Sequence, residues 1–289
     1  MIVYLNGRFV DESEANVSVF DHGLLYGDGV FEEIRSYNGK IFRLNEHLNR
    51  FYESARLINL KMPLTKPQFK EAIILTCRKN NIVDGYIHTV VTRGIGDLGL
   101  DPRKCRTSTY FIIVKPFDGL YGNRYSEGLK AIISKTRRLH PASLNPKIKS
   151  LNYLNNILAK IEANMVKADD AIMLDYRNYP TEATAENLFI VKKSIVYTPP
   201  TETNLPGITR GVVIELCKRE KIKIIESYFT LTQLKNADEV FLTGTAVEIA
   251  PIVKIDNKVI GNGKVGPITS KLMALFRKET ETTGTPIKK

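Results

Sequence analysis

An uncharged lysine amine can attack a carbonyl or take a proton from carbon, and a protonated one does neither. Lys149 is the residue of this chain whose setting favours such an amine. It sits in the stretch NPKIKSLNYLNN, residues 145–156. Leu151, Leu154, Leu158, Ile161 and Met165 recur at helical spacing, which predicts a helix with one apolar face. Ser150 stands just ahead of that pattern as its expected N-cap. Lys149 would then lie at the positive end of a helix, where a second positive charge is disfavoured. Two other stretches suit an anion. In LPGIT, residues 205–209, a glycine loop opens a helix whose Val212, Val213 and Leu216 face inward, offering backbone N–H groups to a phosphate. The small-residue turn Thr243, Gly244, Thr245 and Ala246 offers amides and hydroxyls to another.

The elements that must hold these groups are readable in outline. IVYL and RFV flank Asn6-Gly7, a turn pair that tolerates positive φ at both positions, so residues 1–10 read as a hairpin. The glycine-rich run 21–29 precedes a strand, VFEEIRSY. There Val30, Glu32, Ile34 and Ser36 share one face, and Phe31, Glu33, Arg35 and Tyr37 the other. Asn38-Gly39 turns the chain into KIFRL, and two such hairpins predict an antiparallel sheet here. Residues 45–57 form a helix with Leu48, Phe51, Tyr52, Ala55 and Ile58 on its apolar side and Arg50 off that stripe, read by itself as solvated. A second helix begins near Thr65, with Pro67 in its first turn, and ends around Asn80. YIHTVVTR is a strand followed by Gly94, Gly96 and Gly99. That spacing matches a dinucleotide loop, but Pro102 stands where the required helix would propagate, so it reads as a turn. Glu33 and Lys147 read as solvated residues, and Glu186 as structural.

Composition excludes other classes. No apolar run approaches membrane-spanning length, and the N-terminus lacks the charged and apolar regions of a secretion signal. Cys77, Cys105 and Cys217 are scattered without metal or disulfide spacing, which fits a reducing cytoplasm. The net charge of +11 is spread along the chain and mixed with acids. The basic run 135–138, KTRR, lacks interleaved aromatics, so attraction to anionic metabolites is a better reading than nucleic-acid binding.

The motifs FDHGLLYGDGVFEEIRSYNG, FRLNEHLNRFYESA, VTRGIGDLGLDP, IKSLNYLNN, TEATAENLF, LPGITR and TGTAVEIAPI cover nearly the whole chain. In that order they resemble the fold-type IV pyridoxal 5'-phosphate (PLP) enzymes, the class IV aminotransferases, and most of all their branched-chain type. The resemblance implies an α/β (α+β) protein. It would have a small N-terminal α/β domain over residues 1–118, a linker over 119–127, and a larger barrel-like PLP-binding domain over 128–289, with PLP at their junction. It implies that Lys149 forms the Schiff base, Glu182 faces the cofactor nitrogen and Tyr153 meets its phenolic oxygen. Arg50, Ile208, Thr209 and Thr245 would hold the phosphate. Tyr26, Phe31, Thr245 and Ala246 would border the substrate. No metal is implied, and the assembly would be a homodimer or larger.

The implied reaction moves an amino group between an amino acid, a branched-chain L-amino acid above all, and a 2-oxo acid such as 2-oxoglutarate. A D-amino-acid aminotransferase is the alternative, because VTRG and IKSLN resemble that branch too, and aminodeoxychorismate lyase is third. Three positions depart from the branched-chain pattern. His88 stands where Arg is common, so a substrate carboxylate would look to Arg35 or Arg93. Glu33 stands where Gly is usual. Ala183 and Ala185 replace glycines in TEATAEN.

Overall fold

A computed structural model describes residues 1–288, which fall into two compact units. The first comprises Met1–Asp118, the short return Ile148–Asn152, and the chain from Thr280 on. The second comprises Gly119–Lys147 and Tyr153–Glu279. The segment carrying Lys149 therefore packs with the first unit, not with the downstream domain that the sequence implies for it. The stretch read as a linker contains a one-turn helix, Arg124–Glu127.

The first unit is a seven-stranded sheet. Strands β1 (Ile2–Leu5) and β2 (Arg8–Asp11) form the expected hairpin, with Asn6 at φ 47° and Gly7 at φ 87°. Helix α1 is His22–Tyr26. Strand β3 (Gly29–Tyr37) pairs with β4 (Lys40–Ile41) and, along nearly its whole length, with β5 (Gly85–Thr92). Strand β6 (Tyr110–Pro116) joins β5 to β1. All these pairings are antiparallel, as the turn chemistry requires. Helices α2 (Leu44–Leu57) and α3 (Lys66–Lys79) cover one face, burying Leu48, Phe51, Phe69 and Ile73 against Val30, Ile34 and Ile87. Thr65 and Gln68 close α3 with a reciprocal capping box, which satisfies two of its open N–H groups. Of the glycines after β5, Gly94 serves backbone packing: it has φ 97°, and a Cβ there would meet the Thr107 carbonyl. Among the described residues no α-helix follows them to receive a dinucleotide before β6 begins.

The second unit is built on a nine-stranded sheet. Its strands are β7 (Leu129–Ile133), β8 (Asp170–Leu174), β9 (Pro180–Glu182), β10 (Asn187–Lys192), β11 (Ile195–Thr198), β12 (Ile224–Glu226), β13 (Glu239–Gly244), β14 (Glu248–Ile255) and β15 (Lys258–Val259). The order β10-β13-β14-β7-β8-β9 returns to β10 through Glu182 and Asn187, which closes a barrel. Leu188, Ile190, Leu242, Ala250 and Ile172 fill part of its core. Around it lie α4 (Arg124–Glu127), α5 (Leu154–Met165), α6 (Ile208–Arg219), α7 (Leu231–Lys235) and α8 (Pro267–Thr282).

One local expectation is corrected. Helix α5 begins at Leu154, and its N-cap is Tyr153 with no side-chain bond, so Ser150 is not its cap. The apolar stripe on α5 faces outward within its unit: Leu154 is 65% and Met165 80% exposed, while Ala159 and Ala163 are buried. At the other end of the chain, Thr285–Pro286 forms strand β16, which pairs with β4 and is followed by buried Ile287. Among the described residues no helix is long and apolar enough to cross a membrane, and no cluster of acids, His and Cys could hold a metal ion.

Candidate active site

Lys149 is positioned by strand pairing, not by a helix terminus. Its carbonyl accepts from Phe31 N–H, its own N–H donates to Ser54 Oγ on α2, and Leu151 N–H donates to the Gly29 carbonyl. Ser150 bridges Val30. Residues 149–151 thus act as one more short strand on the edge of β3. Lys149 does not stand at the start of α5, which begins only at Leu154, so the dipole of that helix does not hold the amine neutral. The side chain is buried, with the residue 5% exposed. Its Nζ lies 3.1 Å from Glu33 Oε2 and 4.0 Å from the Phe31 ring centroid.

The alternation read from VFEEIRSY sorts the neighbours. On the helix-covered face, buried Glu32 accepts from Arg50 Nε at 2.6 Å and Nη2 at 2.9 Å, and pairs with His47 Nδ1 at 2.8 Å. Burial alone would push the Glu32 carboxyl up, but Arg50 and His47 together outweigh it and hold the group down at about 2. Arg50 is therefore not a solvated helix arginine; its guanidinium is fixed in orientation by a bidentate carboxylate. On the other face stand Phe31, Glu33 and Arg35. Glu33 pairs in register with His88 of β5, whose Nδ1 lies 3.9 Å from its carboxylate. Burial outweighs the neighbouring acids and lowers the His88 value, so its ring is neutral at pH 7. The Arg35 guanidinium is buried between Tyr37 and Phe117, 4.5 and 4.9 Å from their centroids, and donates to the Phe117 carbonyl. Arg93 clamps Asp28 through Nε and Nη2 and donates to the Ile58 and Asn59 carbonyls. Both arginines are built into the first unit. Tyr26 accepts from Gly99 N–H at its hydroxyl and stands edge-on to His22.

The second unit carries the rest. Glu182, at the end of β9, is 5% exposed; its carboxylate lies 2.6 Å from Arg138 Nε and accepts from Leu205 N–H. Arg138 also donates to Asn155 and Asn156, and Asn156 in turn to the Thr184 carbonyl. Arg138 is thus the partner that sequence reasoning missed, hidden in a run read only as surface charge. Ile208 and Thr209 open α6 behind Gly207, whose lack of a side chain leaves the helix without a side-chain cap. Thr245 and Ala246 form the turn between β13 and β14, as expected. Tyr153 is the N-cap of α5. Glu186 is buried, and burial and the neighbouring Asp170 push its carboxyl well up. Lys147 is exposed.

Each unit therefore presents groups with a defined chemistry: a buried amine in one, and a buried carboxylate and an uncapped helix start in the other. The model of the class IV aminotransferases matches residues 29–255. The chain is 52% identical over 278 residues to a putative branched-chain-amino-acid aminotransferase of Methanocaldococcus jannaschii, covering 96% of each. It is 38% identical over 290 residues to a D-alanine aminotransferase of Listeria monocytogenes, again covering 96% of each. Its fold is similar to the crystal structure of the branched-chain amino acid aminotransferase from Thermobaculum terrenum in its PLP form, with a TM-score of 0.90 and 30% identity over 100% of this chain and 98% of that one.

Proposed function

The chain belongs to the class IV aminotransferases, and from that premise we propose that it uses PLP to exchange an amino group between a branched-chain L-amino acid and a 2-oxo acid such as 2-oxoglutarate. It is an enzyme of fold type IV. The observation that carries the reading is the buried Lys149 amine, held by main-chain pairing on both sides while its side chain offers the nitrogen that an aldehyde cofactor requires.

The residues fit the cofactor group by group. Lys149 supplies the amine for its aldehyde, Glu182 a carboxylate for its ring nitrogen, and the start of α6 amides for its phosphate. When bound, PLP supplies an electron sink for the pair left on the amino-acid Cα after deprotonation. Lys149 Nζ takes that proton and returns it, as general base and then general acid. Arg138 is paired with Glu182, and that carboxylate would face the ring nitrogen and favour its protonated form. Arg50, oriented within its unit by Glu32, would grip the phosphate together with the Ile208 and Thr209 amides and Thr245. Tyr153 would meet the phenolic oxygen. Tyr26, Phe31 and the Thr245-Ala246 turn would border an aliphatic side chain. A second reading, D-amino-acid transamination, is supported by the 38% identity to a D-alanine aminotransferase; His88, neutral, stands where the branched-chain type commonly has a cationic carboxylate grip. The three cysteines are free, which suits a reducing cytoplasm. We also infer that the chain self-associates, since α5 presents Leu154, Ile157, Leu158, Ile161 and Met165 outward.

The test is a donor panel with 2-oxoglutarate. L-leucine turnover well above that of D-alanine is expected, and the reverse order replaces the first reading by the second. Lys149→Ala is expected to retain PLP without covalent attachment and to lose transamination; turnover near the parent's would remove Lys149 from the mechanism.

A further inference from the structure

Lys149 is approached by charge from three elements. On β3, Glu33 Oε2 lies 3.1 Å from Nζ and the face of Phe31 4.0 Å away. On β5, neutral His88 and the Tyr86 hydroxyl both address Glu33 from beside it. On α2, His47 and Arg50 act at longer range and are themselves bound to Glu32. The Arg50 charge is thus matched by Glu32, and His88 carries no charge. Glu33 is a carboxylate in direct contact with the lysine. It is ionised: burial pushes its carboxyl up, but the Lys149 charge and the Tyr86 hydrogen bond outweigh burial and hold it below the ordinary value.

Taking up the proposed reaction, which this inference rests on, we propose that Glu33 is a positioning residue that sets both the direction of the Lys149 side chain and the pH at which its nitrogen loses its proton. The main chain of residue 149 is fixed by Phe31, Ser54 and the Ser150 bridge, but a lysine side chain has further torsions to settle along its flexible stem. The carboxylate and the ring face both attract a cation, so they stabilise the protonated nitrogen. The position matters because the same nitrogen must be neutral to accept a proton from Cα. A carboxylate at residue 33 therefore moves the reactive window of the enzyme toward alkaline pH.

The test compares parent, Glu33→Gln and Glu33→Asp. In PLP-loaded protein the visible absorbance band is titrated against pH, which reads the proton on the Lys149 nitrogen in its covalent link to the cofactor. The midpoint is expected to fall by about one pH unit or more in Glu33→Gln and to stay near the parent's in Glu33→Asp. The shift should shrink in high salt, because Glu33 is partly open to solvent, with 29% of its side chain exposed. In cofactor-free protein, Lys149 is labelled by reductive methylation with 13C-formaldehyde and its resonance titrated, with Lys149→Arg for assignment. The same ordering of midpoints is expected. Coincident midpoints in parent and Glu33→Gln would overturn the inference in either experiment. Absence of a visible band from the parent would count against the proposed function, while the methylation titration would still decide the role of Glu33.

Discussion

At the scale of single residues, the chemistry depends on charges that are buried and paired. Glu32 shows what that implies for stability. Its folded value, about 2, lies below the unfolded 4.5, so its contribution is present above pH 4.5 and is lost as pH falls through 2. His47 is lowered by burial from 6.5, despite the hydrogen bond to Glu32 that pulls the other way. The unfolded chain therefore takes that proton first, and stability begins to fall below pH 6.5. Glu32→Gln is expected to cost roughly 3 kcal/mol at neutral pH, because it leaves Arg50 buried and uncompensated. It should also flatten the curve between pH 4.5 and 2. Urea midpoints measured across that range test this, and parallel curves for parent and variant would contradict it.

At the scale of elements, the start of α6 has no room to spare. Gly207 has an ordinary φ of −66°, so its need is not conformational. A Cβ there would instead lie 2.0 Å from Asn187 Oδ1, and Asn187 holds the Leu205 carbonyl. Gly207→Ala is expected to displace Asn187 and weaken PLP binding by about 1–3 kcal/mol while α6 itself remains formed. Equilibrium dialysis against PLP reads the loss, and circular dichroism reads the helix. Unchanged affinity would mean that the amides of Ile208 and Thr209 do not carry the phosphate. Elements were the most legible scale in the sequence. The Asn-Gly turns, Pro67 behind Thr65, and the apolar spacing of residues 48–58 each report local geometry, and local geometry is what they determine. The pairing of Ser150 with Val30 was not legible, because an edge contact between segments so far apart in the chain leaves no periodic trace. Arg138 was hidden for the same reason: a basic run shows its charge but not the acid it is buried with. Alternation gave the face on which Glu33 lies, but not the amine above it.

At the scale of the whole molecule, the α5 stripe shows how far patterning reaches. Spacing identified an apolar face; only packing reveals that Ala159 and Ala163 turn inward and the large residues outward. If that face joins two copies, Ile161→Asp with Met165→Glu is expected to shift the light-scattering mass to that of one chain, with far-ultraviolet dichroism preserved. A mass unchanged by the pair would leave the stripe outside the interface. The return of Ile148–Asn152 and of the last residues to the first unit has a different consequence, one of timing. A nascent chain made from its N-terminus can fold its opening sheet only in part. The strand that bears the reactive lysine is made well after that sheet's main body ends at Asp118, and β16 later still. Vectorial synthesis thus withholds the amine from an early, half-built fold, and a fragment ending at Asp118 would carry an open strand edge at Gly29 and Phe31, the kind of surface on which unfinished chains aggregate.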